Sequence, residues 1–131
     1  MWNYEIDDFI KKNPLQNIIY DGTFTRDFIP KIYNDTKKID ETHACIVNNK
    51  KSTDENGEHW ILIVKNTDGK IYNYDSFFRK THTIGFKKSY IEAKTLNKII
   101  QNIFQTNCGH RCLAFLYTID YFNDIEIFNI L

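Results

Sequence analysis

The sequence predicts an α+β fold, in which a mostly antiparallel central sheet packs against one well-buried helix. Three observations support this prediction: two apolar runs joined by an Asp-Gly pair, a third short apolar run before them, and a helical apolar pattern near the C-terminus. With 131 residues, the chain has the usual length of one domain. We therefore expect residues 1–131 to form a single domain.

The N-terminal part predicts one helix and a short apolar segment. Apolar residues recur at helical spacing from Tyr4 to Lys12, and Asn13-Pro14 should end this helix because proline disfavours helical backbone before it. Ile18-Ile19-Tyr20 is apolar, and Asp21-Gly22 after it predicts a turn. This region therefore predicts a helix, then a short apolar segment and a turn.

The middle of the chain carries the strongest strand signals. Ala44 to Val47 is a short run typical of a buried strand, and Trp60 to Val64 is a second. Lys70 to Tyr74 follows, and Asn66-Thr67-Asp68-Gly69 lies between the last two runs. Because Asp-Gly between β-rich runs is a strong hairpin signal, we expect the last two runs to pair antiparallel.

The C-terminal third predicts a strand and then the buried helix. Leu96 to Gln101 has the apolar character of a strand, and Asn107 to Phe122 has that of a helix. The helix has one apolar stripe, formed by Cys112, Phe115, Leu116 and Ile119. This stripe should face the sheet.

Composition narrows the functional classes. The chain has 17 basic and 17 acidic residues and a formal net charge of zero. This charge argues against a protein that coats nucleic acid, because such proteins are usually strongly basic. No apolar stretch approaches the ~18–20 residues of a membrane span, so we expect no membrane association. The three cysteines lack the spacing of a disulfide framework and predict free thiols in a reducing compartment. We expect neither a metal nor a cofactor.

A possible catalytic arrangement emerges from the predicted strand and helix ends. His59 precedes one hairpin strand and Asp75 follows the other, so antiparallel pairing would bring them to the same sheet edge. Cys108 lies where a loop becomes a helix, and the positive helix end stabilises a thiolate there. Gly109 next to it leaves room for a substrate backbone. A thiol, an imidazole and a carboxylate in this order predict a cysteine nucleophile with its general base.

An oxyanion-stabilising group is the remaining requirement. Gln101, seven residues before Cys108, can supply a neutral amide donor beside the Cys108 backbone N–H, and Gln105 is the competing choice. Taken singly, each of these residues more often has an ordinary structural role. Their combination is more specific than any one of them.

Several short motifs, each present once, follow one another in a set order, and the region that they mark covers about residues 14 to 118. They are Asp21-Gly22-Thr23-Phe24 with Arg26 and Phe28, Ala44-Cys45-Ile46-Val47-Asn48, Gly57-Glu58-His59-Trp60, Tyr72-Asn73-Tyr74-Asp75-Ser76-Phe77, Gln101, and Cys108-Gly109 with Cys112, Phe115 and Leu116. In this order the chain resembles the adenovirus-type maturation cysteine proteases, the adenains, with their relatives in virophages and large DNA transposons. The ubiquitin-like-protein proteases share the same core.

The resemblance implies a papain-like cysteine protease fold and a role for each site residue. His59 would be the general base, Asp75 would orient it, and Cys108 would form the acyl-enzyme. Gln101 would help to form the oxyanion hole, because seven residues is the adenain-like spacing. The resemblance also implies substrate-side positions, with Trp60 packed beside the site and Gly109 lining a narrow groove.

The implied substrates are viral capsid or core precursor proteins, cut at small-residue, Gly-rich sites by a monomer in the virion and in the cytoplasm or nucleus of the infected cell. A peptide or DNA activator is also implied, although no cysteine lies between Cys45 and Cys108 to link a peptide. A local phosphate-binding patch would involve Arg79, Lys80, Lys87 and Lys88. Three alternatives remain: an isopeptidase acting on ubiquitin-like proteins, an inactive protease-fold binding module, and a metal-binding domain.

Overall fold

The computed structural model describes residues 3–48, 60–74, 91–92 and 108–126. The helices are α1 (Asn3–Lys12) and α2 (Cys108–Phe122), and two short 3-10 helices span Arg26–Phe28 and Lys31–Asn34. The strands are β1 (Ile19–Thr25), β2 (His43–Asn48), β3 (Trp60–Lys65), β4 (Ile71–Tyr74) and β5 (Ile91–Glu92). Among the described residues, no helix combines the length and the apolar character needed to cross a membrane.

The strands form one mixed sheet in the order β1-β2-β3-β4-β5. The two central pairings, β2 with β3 and β3 with β4, are antiparallel. The two outer pairings, β1 with β2 and β4 with β5, are parallel. The α+β class is confirmed, but the prediction of a mostly antiparallel sheet is wrong. Only the hairpin has a local sequence signal, whereas parallel pairings join segments that are distant in the chain.

The predicted hairpin is confirmed between β3 and β4. Asn66 N–H donates to the Lys70 carbonyl at 2.9 Å, and Gly69 N–H donates to the Asn66 carbonyl at 3.0 Å. Gly69 has a φ of +90°, and a Cβ there would lie 2.1 Å from the Thr36 carbonyl oxygen. Glycine is therefore required both by the turn and by the close approach of the preceding loop.

The helix α1 is also confirmed, with Ile6 and Ile10 buried. It ends before Asn13, whose N–H and Nδ2 both donate to the Phe9 carbonyl at 3.0 and 2.9 Å. This pair of bonds satisfies a carbonyl that the helix end would otherwise leave open. Pro14 then prevents the helix from continuing.

The turn predicted at Asp21-Gly22 is wrong, because both residues lie inside β1. The register with β2 shifts between Tyr20 and Gly22, which makes Asp21 the extra residue of a β-bulge. Gly22 has a φ of +133°, a backbone conformation that other residues rarely adopt. The Asp-Gly pair thus bends a strand, and the bulge redirects the Asp21 side chain.

The sheet carries one core on each face. The helical face packs against α1 and α2, and its buried residues are Ile6, Ile10, Ile18, Ala44, Ile46, Trp60, Leu62, Val64, Tyr74, Cys112, Leu113, Phe115, Leu116 and Ile119. The opposite face packs against the segment around the second 3-10 helix, and its buried residues are Tyr33, Cys45, Val47, Ile61, Ile63 and Ile71. Because both faces are covered, every residue of β3 is buried.

Candidate active site

The predicted site residues are only partly within the described residues. Cys108 is the first residue of α2, as predicted for the nucleophile, and α2 packs on the sheet through the predicted apolar stripe. Trp60 and Gly109 are described, and both are buried. Outside the described residues lie His59, Asp75, Gln101, Gln105 and the predicted strand Leu96 to Gln101.

The helix α2 runs along the sheet in the same direction as β3. The Phe115 ring stacks on the Tyr74 ring with 3.5 Å between their centroids, at the last residue of β4. One turn later, Ile119 lines a small cavity together with Asn66, just beyond the end of β3. Cys108 precedes Phe115 by seven residues, about 10 Å along the helix in the opposite direction. The helix therefore begins at the end of the sheet where β3 begins and β4 ends.

Three chain segments thus reach the same end of the molecule. β3 begins there at Trp60, β4 ends there at Tyr74, and α2 begins there at Cys108. In the sequence, His59 directly precedes Trp60 and Asp75 directly follows Tyr74. The positive end of the α2 dipole adds a field that stabilises negative charge at this end.

The floor beneath this end is apolar and closely packed. Trp60 is 4% exposed and pairs with Asn48, which is also 4% exposed, at the end of β2. Cys112 lies one helical turn after Cys108 and is 1% exposed, within the same core as Trp60 and Phe115. Cys112 is therefore a core residue, and the packing beneath the start of α2 excludes water.

Arg111, in the first turn of α2, was not selected by the sequence analysis. Its side chain is 1% exposed and is among the largest fully buried side chains of the described residues. The first turn of α2 contains no acidic residue. No pattern in the sequence marks it, because arginine is seldom fully buried and the exposed His110 precedes it in the same turn.

Asp120 fixes the other end of α2. Its carboxylate accepts N–H bonds from Gln16, Asn17 and Ile18 at 2.8, 2.7 and 3.0 Å, and the Asn17 side chain donates to the Asp120 carbonyl at 2.8 Å. Asp120 is 4% exposed, so these bonds are protected from water. They tie α2 to the segment entering β1 and hold the helix in place along the sheet.

A second polar cluster lies on the opposite face. Asp21 accepts a hydrogen bond from the Tyr33 hydroxyl at 2.6 Å, and His43 Nδ1 lies 3.0 Å from both Asp21 carboxylate oxygens. Cys45 follows on the same side of β2, and complete burial raises the pKa of its thiol. A protonated, inaccessible thiol is a poor nucleophile, so this cluster of histidine, aspartate and cysteine is structural.

The opposite face also contains a buried lysine. Lys65 is 1% exposed, and its Nζ donates to the carbonyls of Ile32 and Asp35 at 2.7 and 3.1 Å and to Asp35 Oδ1 at 2.8 Å. These bonds attach the end of the second 3-10 helix to β3. Within the described residues, no group of three or more histidine, cysteine or acidic side chains could hold a metal ion.

Comparison with known proteins does not identify a family. No model of a known protein family matches the sequence, and no curated protein matches it.

Proposed function

We propose that this protein is a papain-like cysteine endopeptidase of the adenain type. The observation that carries the proposal is the direction of α2, which begins at Cys108 at the end of the sheet where β3 begins and β4 ends. His59 and Asp75 adjoin those strand ends in the sequence. The order of these residues and the motifs around them support the same assignment.

The proposed reaction is peptide-bond hydrolysis through a thioester. His59 takes the proton of the Cys108 thiol, and the thiolate attacks the scissile carbonyl carbon. The Cys108 N–H and the Gln101 amide stabilise the resulting oxyanion. The C–N bond then breaks, and His59 gives its proton to the leaving amine.

Deacylation completes the cycle. Water gives a proton to His59 and attacks the thioester carbonyl, and the C–S bond breaks to release the acid product. The proton on His59 then returns to the Cys108 sulfur, or it stays on His59 and the two groups remain a thiolate–imidazolium pair. Asp75 keeps the His59 ring oriented throughout, and no metal or cofactor takes part.

The proposed substrates are viral capsid or core precursors with small-residue, Gly-rich cleavage sites. Gly109 suits such sites, because it places no side chain beside the nucleophile. Trp60 packs beneath the site and shapes its floor. The enzyme would act as a monomer, in the virion and in the cytoplasm or nucleus of the infected cell. A peptide or DNA would activate it.

The test needs no substrate at first. Alkylation rates of Cys45, Cys108 and Cys112 are measured by mass spectrometry at about pH 6, where an ordinary thiol of pKa ~8.5 is almost fully protonated. We expect Cys108 to react much faster than the other two, and to slow in the His59→Ala variant. His110→Ala, which removes an exposed histidine from the first turn of α2, is the matched control.

A substrate measurement then separates the possible enzymes. Gly-rich peptides should be cleaved by the wild type, with and without virion extract as a source of activator. An electrophilic probe with a ubiquitin-like body should label Cys108 only if the protein is an isopeptidase. A Cys108 alkylation rate that is unchanged in His59→Ala, with no cleavage after activation, would indicate an inactive binding module.

A further inference from the structure

The outer side of α2 is aromatic and uncharged, although charged residues make up 26% of the chain. The charged residues of α2 are Arg111 and Asp120, and both are buried. Near the end of the same helix, the side chains of Tyr121 and Phe122 are 75% and 53% exposed. A helix on a protein surface usually carries charged residues on its outer side, so this aromatic side needs a different explanation.

Phe9 of α1 extends the outer side of α2 into a row of four aromatic rings. The Phe9 and Tyr117 rings meet edge to face with their centroids 5.6 Å apart, and the Tyr121 and Phe122 rings do so at 5.0 Å. Tyr121 follows Tyr117 by four residues, so the two are neighbours on the helix surface and the row is about 15 Å long. We call these four residues the aromatic surface.

The polar groups of the aromatic surface are two tyrosine hydroxyls. The Tyr117 hydroxyl donates to the Asn13 carbonyl at 2.5 Å, which holds the Tyr117 ring in place. Tyr121 is the most exposed of the four side chains, so its hydroxyl can donate a hydrogen bond to a ligand. The aromatic surface therefore favours a ligand that is apolar and offers carbonyl acceptors.

Charged side chains that border the aromatic surface have partners of their own. Lys12, three residues after Phe9, pairs with Asp8 at 2.9 Å. Asp124, just beyond α2, accepts the Glu126 N–H at 2.9 Å. Because one border is basic and paired and the other is acidic and hydrogen-bonded, the surface does not favour an ionic ligand of either sign.

The size of the aromatic surface favours a short ligand over a second copy of the chain. Aromatic side chains have about 150–250 Å² each, so the exposed parts of Phe9, Tyr121 and Phe122 amount to about 350 Å². On a monomer, an apolar patch of about 300–600 Å² is often functional. A stable dimer needs about 800 Å² from each partner, which is roughly twice the exposed aromatic area.

We propose that the aromatic surface docks a proline-rich segment of a partner protein in the polyproline II conformation. Proline rings pack on aromatic side chains, and the segment presents carbonyl acceptors without proline N–H donors. Five residues of this conformation, at ~3.1 Å each, span about 15 Å and match the row of rings. An apolar partner helix would bond its own carbonyls internally and would leave the Tyr121 hydroxyl without an acceptor.

This inference goes beyond the proposed function and does not depend on it. The aromatic surface lies toward the C-terminal ends of α1 and α2, whereas Cys108 is the first residue of α2. A docked segment would therefore leave the start of α2 uncovered.

The experiment titrates a peptide of ten prolines into the ¹⁵N-labelled full chain and follows the backbone amides by NMR. We expect saturable shifts at the four residues of the aromatic surface. Tyr121→Ala should weaken binding at least tenfold, because exposed aromatic anchors dominate small interfaces. Tyr121→Phe, which removes only the hydroxyl, should weaken binding about threefold. The matched control is Tyr4→Ala, which removes a tyrosine that is 70% exposed on another side of α1 and should bind as the wild type does.

Three results would contradict the proposal. A Gly-Ser peptide of the same length that binds equally well would show that the surface does not select proline. An uncharged helical peptide that shifts these amides, where the proline peptide does not, would assign the surface to a helical partner. A mass that rises with concentration in analytical ultracentrifugation of the wild type, but not of Tyr121→Ala, would assign it to a second copy of the chain.

The amide spectrum of each variant also shows whether it folds. Tyr121 is 75% exposed, so its truncation should leave the fold intact. If Tyr121→Ala does not fold, Phe122→Ala replaces it, with the same tenfold loss of proline-peptide binding expected. Unchanged binding in a folded variant would overturn the proposal.

Discussion

The two faces of the sheet carry similar side chains in different environments. On the opposite face, Asp21, His43 and Cys45 lie along adjacent strands, and a hydrogen-bonded pair forms between the first two. On the helical face, Cys108 stands at the start of a helix instead of inside a strand. Cys45 is fully buried and the pKa of its thiol is raised, so it is a packing residue. Residue types alone therefore do not distinguish a catalytic cluster from a structural one.

The largest expected contrast is between the two cysteines. Cys108→Ala should abolish peptide cleavage, a loss of roughly 10⁶-fold if it resembles the removal of a triad nucleophile. Cys45→Ala should keep the activity and lower the free energy of unfolding by about 1–2 kcal/mol, because it removes a buried sulfur. Cleavage assays and urea unfolding of both variants test this contrast. Turnover in Cys108→Ala would overturn the assignment.

The histidines offer the next contrast. His59→Ala should lose about as much activity as Cys108→Ala, because the members of a triad act as a unit. His43→Ala should keep full activity and lose about 1–2 kcal/mol of stability with its hydrogen bond to Asp21. An activity loss in His43→Ala at unchanged folding would show that the opposite face contributes to the reaction.

Local patterns were sufficient to predict much of the fold. The α1 boundaries, the hairpin at Asp68-Gly69 and the apolar stripe of α2 all depend on neighbours in the sequence. The parallel pairing of β1 with β2 was missed, because it joins distant segments, and the bulge at Asp21 was read as a turn since Asp-Gly serves both structures.

The buried charges were also missed. Arg111, Lys65 and Asp120 are all buried, and no sequence pattern distinguishes them from the charged residues of a solvated surface. Each depends on partners or fields that exist only after folding. For the candidate site, the helix start at Cys108 was predicted, whereas the direction of α2 along β3 needed the tertiary structure.

Asp120 allows a third comparison, between a buried and an exposed carboxylate at the C-terminal end of α2. Asp120→Ala removes the acceptor of three backbone N–H groups and should lower the free energy of unfolding by about 3–5 kcal/mol. Asp124→Ala, at an exposed carboxylate beyond the same helix end, should cost less than about 1 kcal/mol. Urea unfolding measures both, and equal losses would show that the three bonds add little.

In folded Asp120→Ala, the reactivity of Cys108 is a further readout. The hydrogen bonds of Asp120 lie at the far end of α2 from Cys108, so the alkylation rate at about pH 6 should change little once the fraction folded is taken into account. A large fall at unchanged folding would mean that the alignment of the helix start depends on these hydrogen bonds. The two ends of α2 would then act as one rigid unit.

The smallest expected effect lies at the Lys65–Asp35 pair on the opposite face. The hydrogen bond from Lys65 is the main cause that lowers the pKa of the Asp35 carboxyl. A carboxyl whose pKa is lower in the folded state adds stability above its unfolded pKa, and this contribution disappears as the pH falls through the folded value. Asp35→Asn should therefore reduce stability slightly at neutral pH, and the difference from wild type should vanish in acid.

The stability of each variant is measured by thermal unfolding from neutral pH down into the acid range where Asp35 titrates. The control is Asp40→Asn, at an exposed residue of the following loop. In Asp35→Asn, Lys65 keeps the carbonyls of Ile32 and residue 35 as partners, so the fold should survive. Asp35 is half-exposed whereas Lys65 is buried, and solvent screening keeps the effect small. A difference that stays constant with pH would mean that the carboxylate acts through packing instead of charge. The comparison of the two faces would then rest on the cysteines and histidines alone.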